Sequence, residues 1–344
     1  MNTYLQNLLA EEDLRLINAL QIHPRQTWTV LGDVLGQHPT SLAKRWNRLV
    51  ERGLAWISCH PIGDPNQMSL AFLDVQCEPR TRSRVVRELV AMTDVFSIEE
   101  CSRARDLMLT VVTPYPTWMT ESVYPQLDAV EGITRYETSF CTKLHRGAYD
   151  WRINALSKRE EASLQRAAPG SPPARGPLPS HYAEIAALLN ANGRATAADV
   201  AGATGLHPAT ARRQLQRVLD SRTLAFRCEV AHRAAGFPVV CQWFGRLPAT
   251  LHDDAARALA RLGTLRICAS ITGTANFMFM MWLRSAADVM EVESYVGRHL
   301  PELDLVESAV ITNIPKRVGW ELDPHGFATG RTVGPGDVWS RLTP

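Results

Sequence analysis

The chain has 344 residues, a formal net charge of +2 and 45% hydrophobic residues, the profile of a soluble globular protein long enough for two or more cores. Near-balanced charge excludes nucleic-acid binding through the field of the whole molecule and leaves only local basic patches for that role. The seven cysteines include no C-x-x-C pair, which fits reduced core thiols in a cytoplasm and gives no metal site. No secretory signal is visible, and Phe277 to Leu283, the most apolar run, is too short to span a bilayer.

In chain order, Glu11 to Gln21 reads as a helix with acidic residues in its first turn, and Thr27 caps a short second helix. Gly36 permits a sharp turn into a third helix, where His38 sits at the N-cap and Pro39 at the first position. Leu42, Trp46 and Leu49 form its inner face, leaving Thr40, Ser41, Lys44, Arg45, Asn47 and Arg48 to face outward. Hydroxyls followed by cations suit a helix entering a DNA major groove by its N-terminus, whereas the ordinary alternative is a solvated face. Leu54 to Cys59 follows as a wing-like strand. Strands are then expected from Met68 to Val75, Val95 to Ile98, Leu107 to Val112 and Ile133 to Leu144, with helices over Thr81–Met92 and Pro116–Val130. This β-α-β-β-α-β order describes a four-stranded sheet with two helices on one face, and a second sheet is the expected cover for the other face. Residues 167–179 form a Pro/Gly-rich spacer, expected to be extended and semi-rigid.

The pattern then repeats. Gly205 lies 169 positions after Gly36 and opens Gly205-Leu206-His207-Pro208-Ala209-Thr210, the second version of Gly36-Gln37-His38-Pro39-Thr40-Ser41. Thr196 matches Thr27, and Cys228 matches Cys59, at the same offset. Ala211, Leu215 and Val218 face inward on the second basic helix, and Thr210, Arg212, Arg213, Gln214 and Arg217 face outward. A fixed internal period describes the whole fold, which a solvated helix face alone does not explain. The expected fold class is α+β: two copies of a (winged) helix-turn-helix domain, each followed by a ferredoxin-like βαββαβ effector domain. The expected bounds are 10–60 and 66–150 for the first pair, 151–180 for a linker, 181–232 and 236–318 for the second pair, and 319–344 for a tail assigned no structure.

The turn-plus-basic-helix stretches, together with Ala235-Gly236-Phe237-Pro238-Val239 at the entry to a strand, make each half resemble the Lrp/AsnC (feast/famine) transcriptional regulators. Trp151 to Leu156 looks like the tandem, double-length members. The resemblance implies a sequence-specific regulator that binds double-stranded DNA and associates as a homodimer or higher even oligomer through its effector domains. It implies that a small effector, such as an amino acid, binds at the strand-turn-strand segments. Those are Ser102-Arg103-Ala104-Arg105-Asp106 and Thr272-Gly273-Thr274-Ala275-Asn276, where the usual form is Thr-Gly-x-x-Asp. Candidate effector ligands are thus Ser102, Arg103, Arg105, Asp106, Thr272, Gly273, Thr274 and Asn276. Asn276 lacks the full charge for an ammonium group, and Arg103 adds bulk in place of Gly but suits a carboxylate. Tight turns without a ligand remain the alternative for both.

These features lead to the expectation of a regulator with no catalytic residues, cofactor or metal. Siroheme decarboxylases look like the same family, and an enzyme of that kind is the alternative, beside a metabolite-sensing module acting through protein partners. The ten histidines are scattered, with His38 and His207 read as caps. No Gly-rich phosphate loop, H-E-x-x-H or G-x-S-x-G motif is present.

Overall fold

A computed structural model describes residues 8–61, 69–103, 105–147, 150–167 and 177–334 as a mixed α/β fold. It opens with α1 (Glu11–Ile22), α2 (Trp28–Leu35) and α3 (Pro39–Glu51). Thr27 accepts from the Val30 amide, and the His38 imidazole accepts from the Thr40 amide at 3.3 Å, which satisfies donors that a helix start leaves orphaned. Gly36 turns the chain between α2 and α3 with φ of 67°, a conformation that penalises any side chain. Leu42, Trp46 and Leu49 bury the inner face of α3 among Leu16, Leu20 and Leu31.

The first half continues with β1 (Ala55–Pro61), β2 (Ser69–Cys77), α4 (Arg82–Ala91), β3 (Val95–Cys101), β4 (Leu107–Thr113), α5 (Tyr124–Asp128) and β5 (Ile133–Arg146). Where one helix is expected over Pro116–Val130, a π-helical turn, Met119–Val123, runs into the short α5. Next, α6 (Lys158–Arg166) begins at a Ser157–Glu160 capping box and packs on α1 and α2. The second half contains α7 (Tyr182–Ala191), α8 (Ala197–Thr204), α9 (Pro208–Ser221), β6 (Leu224–Val230), β7 (Val239–Arg246), α10 (His252–Ala260), β8 (Leu265–Ile271), β9 (Phe277–Leu283), α11 (Ala287–His299) and β10 (Asp304–Arg317).

The strands pair in the order β10-β3-β4-β2-β5-β8-β9-β7, and β7 pairs back onto β10. Eight antiparallel strands therefore close on themselves, which removes the exposed edges a flat sheet would leave. Side chains alternate across the strands. Leu73, Val75, Leu109 and Val111 point outward onto Val85, Leu89 and Leu127, and Trp243, Phe277, Phe279 and Met281 pack outward onto Leu259, Val292 and Val296. Phe72, Met108, Phe244, Met278 and Met280 share the inner cluster.

Three expectations are corrected. The two four-stranded groups do not simply stack: β5 pairs with β8 and β10 with β3, so they join edge to edge as one closed barrel. The wing-like strand does not belong to a head of its own, because β1 pairs antiparallel with β6 from Ala55–Val230 to Pro61–Leu224. The tail is ordered as far as Val333. Its β11 (Trp320–Leu322) and β12 (Ala328–Thr332) form a hairpin on β10, and the Ala328 amide donates to the Gly53 carbonyl at 2.9 Å. Residues 168–176 of the expected spacer, Met68, Ala104 and residues 335–344 lie outside the described residues.

The helical groups clasp each other reciprocally. Arg194 donates to the carbonyls of Pro24 and Gln26, each at 2.8 Å, and Arg25 donates to those of Gly193 and Ala195. Arg25 and Arg194 are again 169 positions apart, as are their acceptors, so these contacts follow the offset seen in the sequence. Among the described residues no helix is long and apolar enough to cross a membrane.

Candidate functional site

The seam between β5 and β8 gathers polar side chains from both halves. Its register slips between Cys141 and Lys143 and again between Leu144 and Arg146, and such bulges re-aim the side chains around them. Lys143 and His145 come from β5, Ser270 from β8, and His252 and Asp253 from the first turn of α10. They line a cleft of about 250 Å³ with Thr142, Ala249, Ile271 and Asn276. Ile271 and Ala249 are its apolar floor, and the buried Phe277 ring packs behind the histidines, 5.1 Å from the His252 ring and 6.0 Å from the His145 ring.

One hydrogen-bonded chain runs through the cleft. Ser270 Oγ lies 2.7 Å from His145 Nε2 and 2.6 Å from His252 Nδ1. The far nitrogen of each ring is also engaged, His145 Nδ1 with Asp253 Oδ1 at 2.9 Å and His252 Nε2 with the Leu247 carbonyl at 3.0 Å. Both outer partners are acceptors, so both outer ring nitrogens carry N–H. A single hydroxyl proton lies between the two inner nitrogens and can be given to only one of them. Completing every bond would require the other inner nitrogen to be protonated, with one imidazolium shared across Ser270. Burial holds the His145 pKa below the ordinary imidazole value; the hydrogen bond and charge of Asp253 oppose this, and the neighbouring Lys143 and His252 add to it. Asp253 is held below the usual carboxylate range, first by its hydrogen bond from Lys143, whose ammonium lies 2.7 and 2.9 Å from the two carboxylate oxygens. A proton donor, a cation and an apolar floor thus surround a small open cleft.

Of the residues expected to hold an effector, Thr272, Gly273, Thr274 and Asn276 lie beside this seam and Ser102, Arg103, Arg105 and Asp106 at the β3–β10 seam, and most are engaged with the backbone. Thr272 Oγ1 accepts from the Phe140 amide at 2.9 Å, and Ser102 Oγ accepts from the Val310 amide at 3.1 Å. Asn276 accepts from the Leu247 amide and donates to the Leu247 carbonyl, whereas Asp106 accepts from the Cys77 amide. Gly273 turns with φ of 119°, and Thr274 offers its carbonyl to Arg246. Arg103 is exposed. Arg105 is buried between Asp74 and Glu307, with its guanidinium 4.2 Å from the Phe244 ring centroid.

On the basic helices, Thr40, Ser41, Lys44, Asn47, Arg212 and Arg213 are exposed, and Thr210 and Gln214 are half-buried. Arg48 and Arg217 are also exposed, but Arg45 and Arg48 reach the buried Asp13 carboxylate at 2.7 and 3.3 Å, and Arg217 donates to the Pro177 carbonyl. Sequence reasoning missed the cleft because its two histidines lie on different halves. The available signal was the repeat: at a 170-residue offset, His252 falls on Arg82 and His145 on Pro315, so both histidines break the internal symmetry.

No family model and no curated protein matches the chain. Solved structures do match it along its length. The siroheme decarboxylase NirDL is 13% identical over 97% of both chains, with a TM-score of 0.53. Its complex with an iron-uroporphyrin III analogue gives 14% identity over the same shares and a TM-score of 0.57. AsnC of E. coli is 13% identical and covers 40% of this chain, with a TM-score of 0.33. The full-length fold is therefore that of NirDL. This overturns the expectation of a protein that is not an enzyme, since the architecture read as purely regulatory is an enzyme's architecture over 97% of this chain.

Proposed function

We propose that the chain is a decarboxylase of the siroheme-decarboxylase type and that the β5–β8 cleft removes carbon dioxide from a carboxylate arm of a tetrapyrrole. The observation that carries this reading is the Asp253–His145–Ser270–His252 chain, which presents a proton beside an apolar floor. The cleft volume suits one carboxylate-bearing arm, with the macrocycle outside it. Each half is read as a helix-turn-helix element followed by a ferredoxin-like unit, with the two units closed into the barrel that forms the seam.

The step is redox-neutral. The bond between the arm carbon and the carboxylate breaks, carbon dioxide leaves, and the electron pair stays on carbon, delocalised into the conjugated ring. An imidazolium N–H of the His145–His252 pair then gives its proton to that carbon and forms the new C–H bond. Ile271 and Ala249 give the carboxylate an apolar contact, and the macrocycle seated over the open mouth would keep water from it, which favours conversion of a charged group into neutral carbon dioxide. Incubation of the purified protein with siroheme, read by mass spectrometry, tests this. Loss of carbon dioxide with wild type and none with His252→Ala is expected; siroheme left intact by the wild type overturns the proposal.

Exposed Lys44, Arg212 and Arg213 favour a second reading, binding of double-stranded DNA through α3 and α9. The engagement of Arg45, Arg48 and Arg217 within the protein makes it the weaker one. A gel shift that disappears with Lys44→Ala combined with Arg212→Ala and Arg213→Ala would support it.

A further inference from the structure

The barrel has a second seam, β3 against β10, related to the first by the internal repeat. At an offset of 170 residues the backbone frames coincide. Leu247 N bonds Asn276 Oδ1 where Cys77 N bonds Asp106 Oδ2, and Thr272 N bonds the Phe140 carbonyl where Ser102 N bonds the Val310 carbonyl. Ile271 N and Asn276 N bond the carbonyls of Asn276 and Gly245, as Cys101 N and Asp106 N bond those of Asp106 and Val75. Strand register agrees as well, with Lys143 opposite Ser270 in one seam and Asn313 opposite Glu100 in the other.

On this shared frame Thr142 is kept as Thr312, but every member of the hydrogen-bonded chain is replaced, as is its lysine. His145 becomes Pro315, His252 becomes Arg82, Ser270 becomes Glu100, Lys143 becomes Asn313, and Asp253 becomes Ser83. Arg82 folds back onto its own seam, donating to the carbonyls of Asp106 at 2.6 Å and Cys101 at 3.3 Å and pairing with the Asp106 carboxylate at 3.1 Å. Glu100 accepts from Asn313 at 2.8 Å and lies 3.9 Å from Arg82. The side chain at the position of a proton donor thus fills the seam with its own ion pair. Two carboxylates, Glu100 and Asp106, face one guanidinium where the first seam has one carboxylate beside an ammonium and two imidazoles.

We infer that the chain has a single substrate cleft, at the β5–β8 seam, and that the β3–β10 seam is a closed copy that rejects carboxylate-bearing ligands. Arg82 closes it sterically, and the excess carboxylate repels an anionic arm. The copy has no imidazole and so no group to supply the proton. This inference rests on the proposed function, because it takes the polycarboxylate tetrapyrrole as the ligand of the first seam.

Titration of the full chain with iron-uroporphyrin III, followed by visible absorbance at known protein concentration, separates the two claims. One equivalent bound per chain is expected. Affinity for that equivalent should be unchanged in Arg82→Ala and Glu100→Gln and lost in the His145→Ala, His252→Ala double variant. The Arg82→Ala, Glu100→Gln double variant should admit a second equivalent, and failure to admit it would overturn the closure. Arg82→Lys is the substitute if Arg82→Ala does not fold, since it keeps the cation but removes the guanidinium fork. Two equivalents per wild-type chain would overturn the single cleft and leave the decarboxylase reading standing. One equivalent lost with the Arg82 variants and kept in the double histidine variant would assign the site to the wrong seam. No binding at all would overturn both claims.

Discussion

Ser270 is the residue through which the two imidazoles communicate, and its hydroxyl is the one group within hydrogen-bond distance of both inner ring nitrogens. It acts as a positioning residue, so Ser270→Ala should lower kcat roughly 10²-fold while KM stays near wild type, and Ser270→Thr should restore most of the rate. A raised KM with kcat unchanged would mean that the serine serves binding instead. A second titratable group lies in the barrel wall. Glu99 is buried, and its pKa is pushed up to about 8 by desolvation, against the opposing charge of Arg317. A carboxyl whose folded pKa exceeds its unfolded value stabilises the fold fully below that unfolded value, near 4.5, and the contribution is lost as pH rises through about 8. Thermal melts from pH 5 to 9 should therefore show a decline in Tm that Glu99→Gln flattens; identical slopes in the two proteins would contradict this assignment.

At the level of elements, the capped and periodic pieces were legible in the sequence and the pairings were not. The left-handed Gly36, the His38 and His207 caps and the inner faces of α3 and α9 follow from local chemistry, and the structure contains each of them. Partners of β1, β5 and β10 depend on edges more than a hundred residues away, where side-chain period carries no information. The tail was unreadable for a related reason. Gly319, Gly326 and Gly330 adopt positive φ in a hairpin that is ordered by contact with the first helical group, whereas composition alone suggested a loop. That contact depends on Gly53, which has φ of 64° and on which a β-carbon would collide with the Ala328 backbone. Gly53→Ala should destabilise the protein by about 1–3 kcal/mol and increase amide exchange in β12. Unchanged exchange there would show that the hairpin is held by other contacts.

For the molecule as a whole, the backbone hydrogen bonds of the two barrel seams match at the 170-residue offset, while the side chains on them differ. The Arg25 and Arg194 clasps and the β1–β6 ribbon fix the helical groups to each other, and the barrel seams join the two four-stranded groups. Near the junction, Glu229 is buried among Arg227, Arg266 and Arg317, with the Arg266 and Arg317 guanidiniums 3.8 and 5.0 Å from the Trp282 ring centroid. Glu229→Gln leaves three cations without their shared counter-charge and should cost about 3–5 kcal/mol in chemical denaturation. A loss below about 1 kcal/mol would show that the cluster is solvated in the native state. Symmetry made the two halves readable from the repeat, and the departures from symmetry at His145 and His252 mark the candidate site. The central claim is that this pair protonates carbon as carbon dioxide leaves. Its most direct test is turnover of siroheme in D2O with wild type and the His145→Ala, His252→Ala double variant, read by product mass. The account predicts one deuterium incorporated for each carbon dioxide lost in the wild type and no turnover in the folded double variant; equal carbon dioxide loss in both would contradict it.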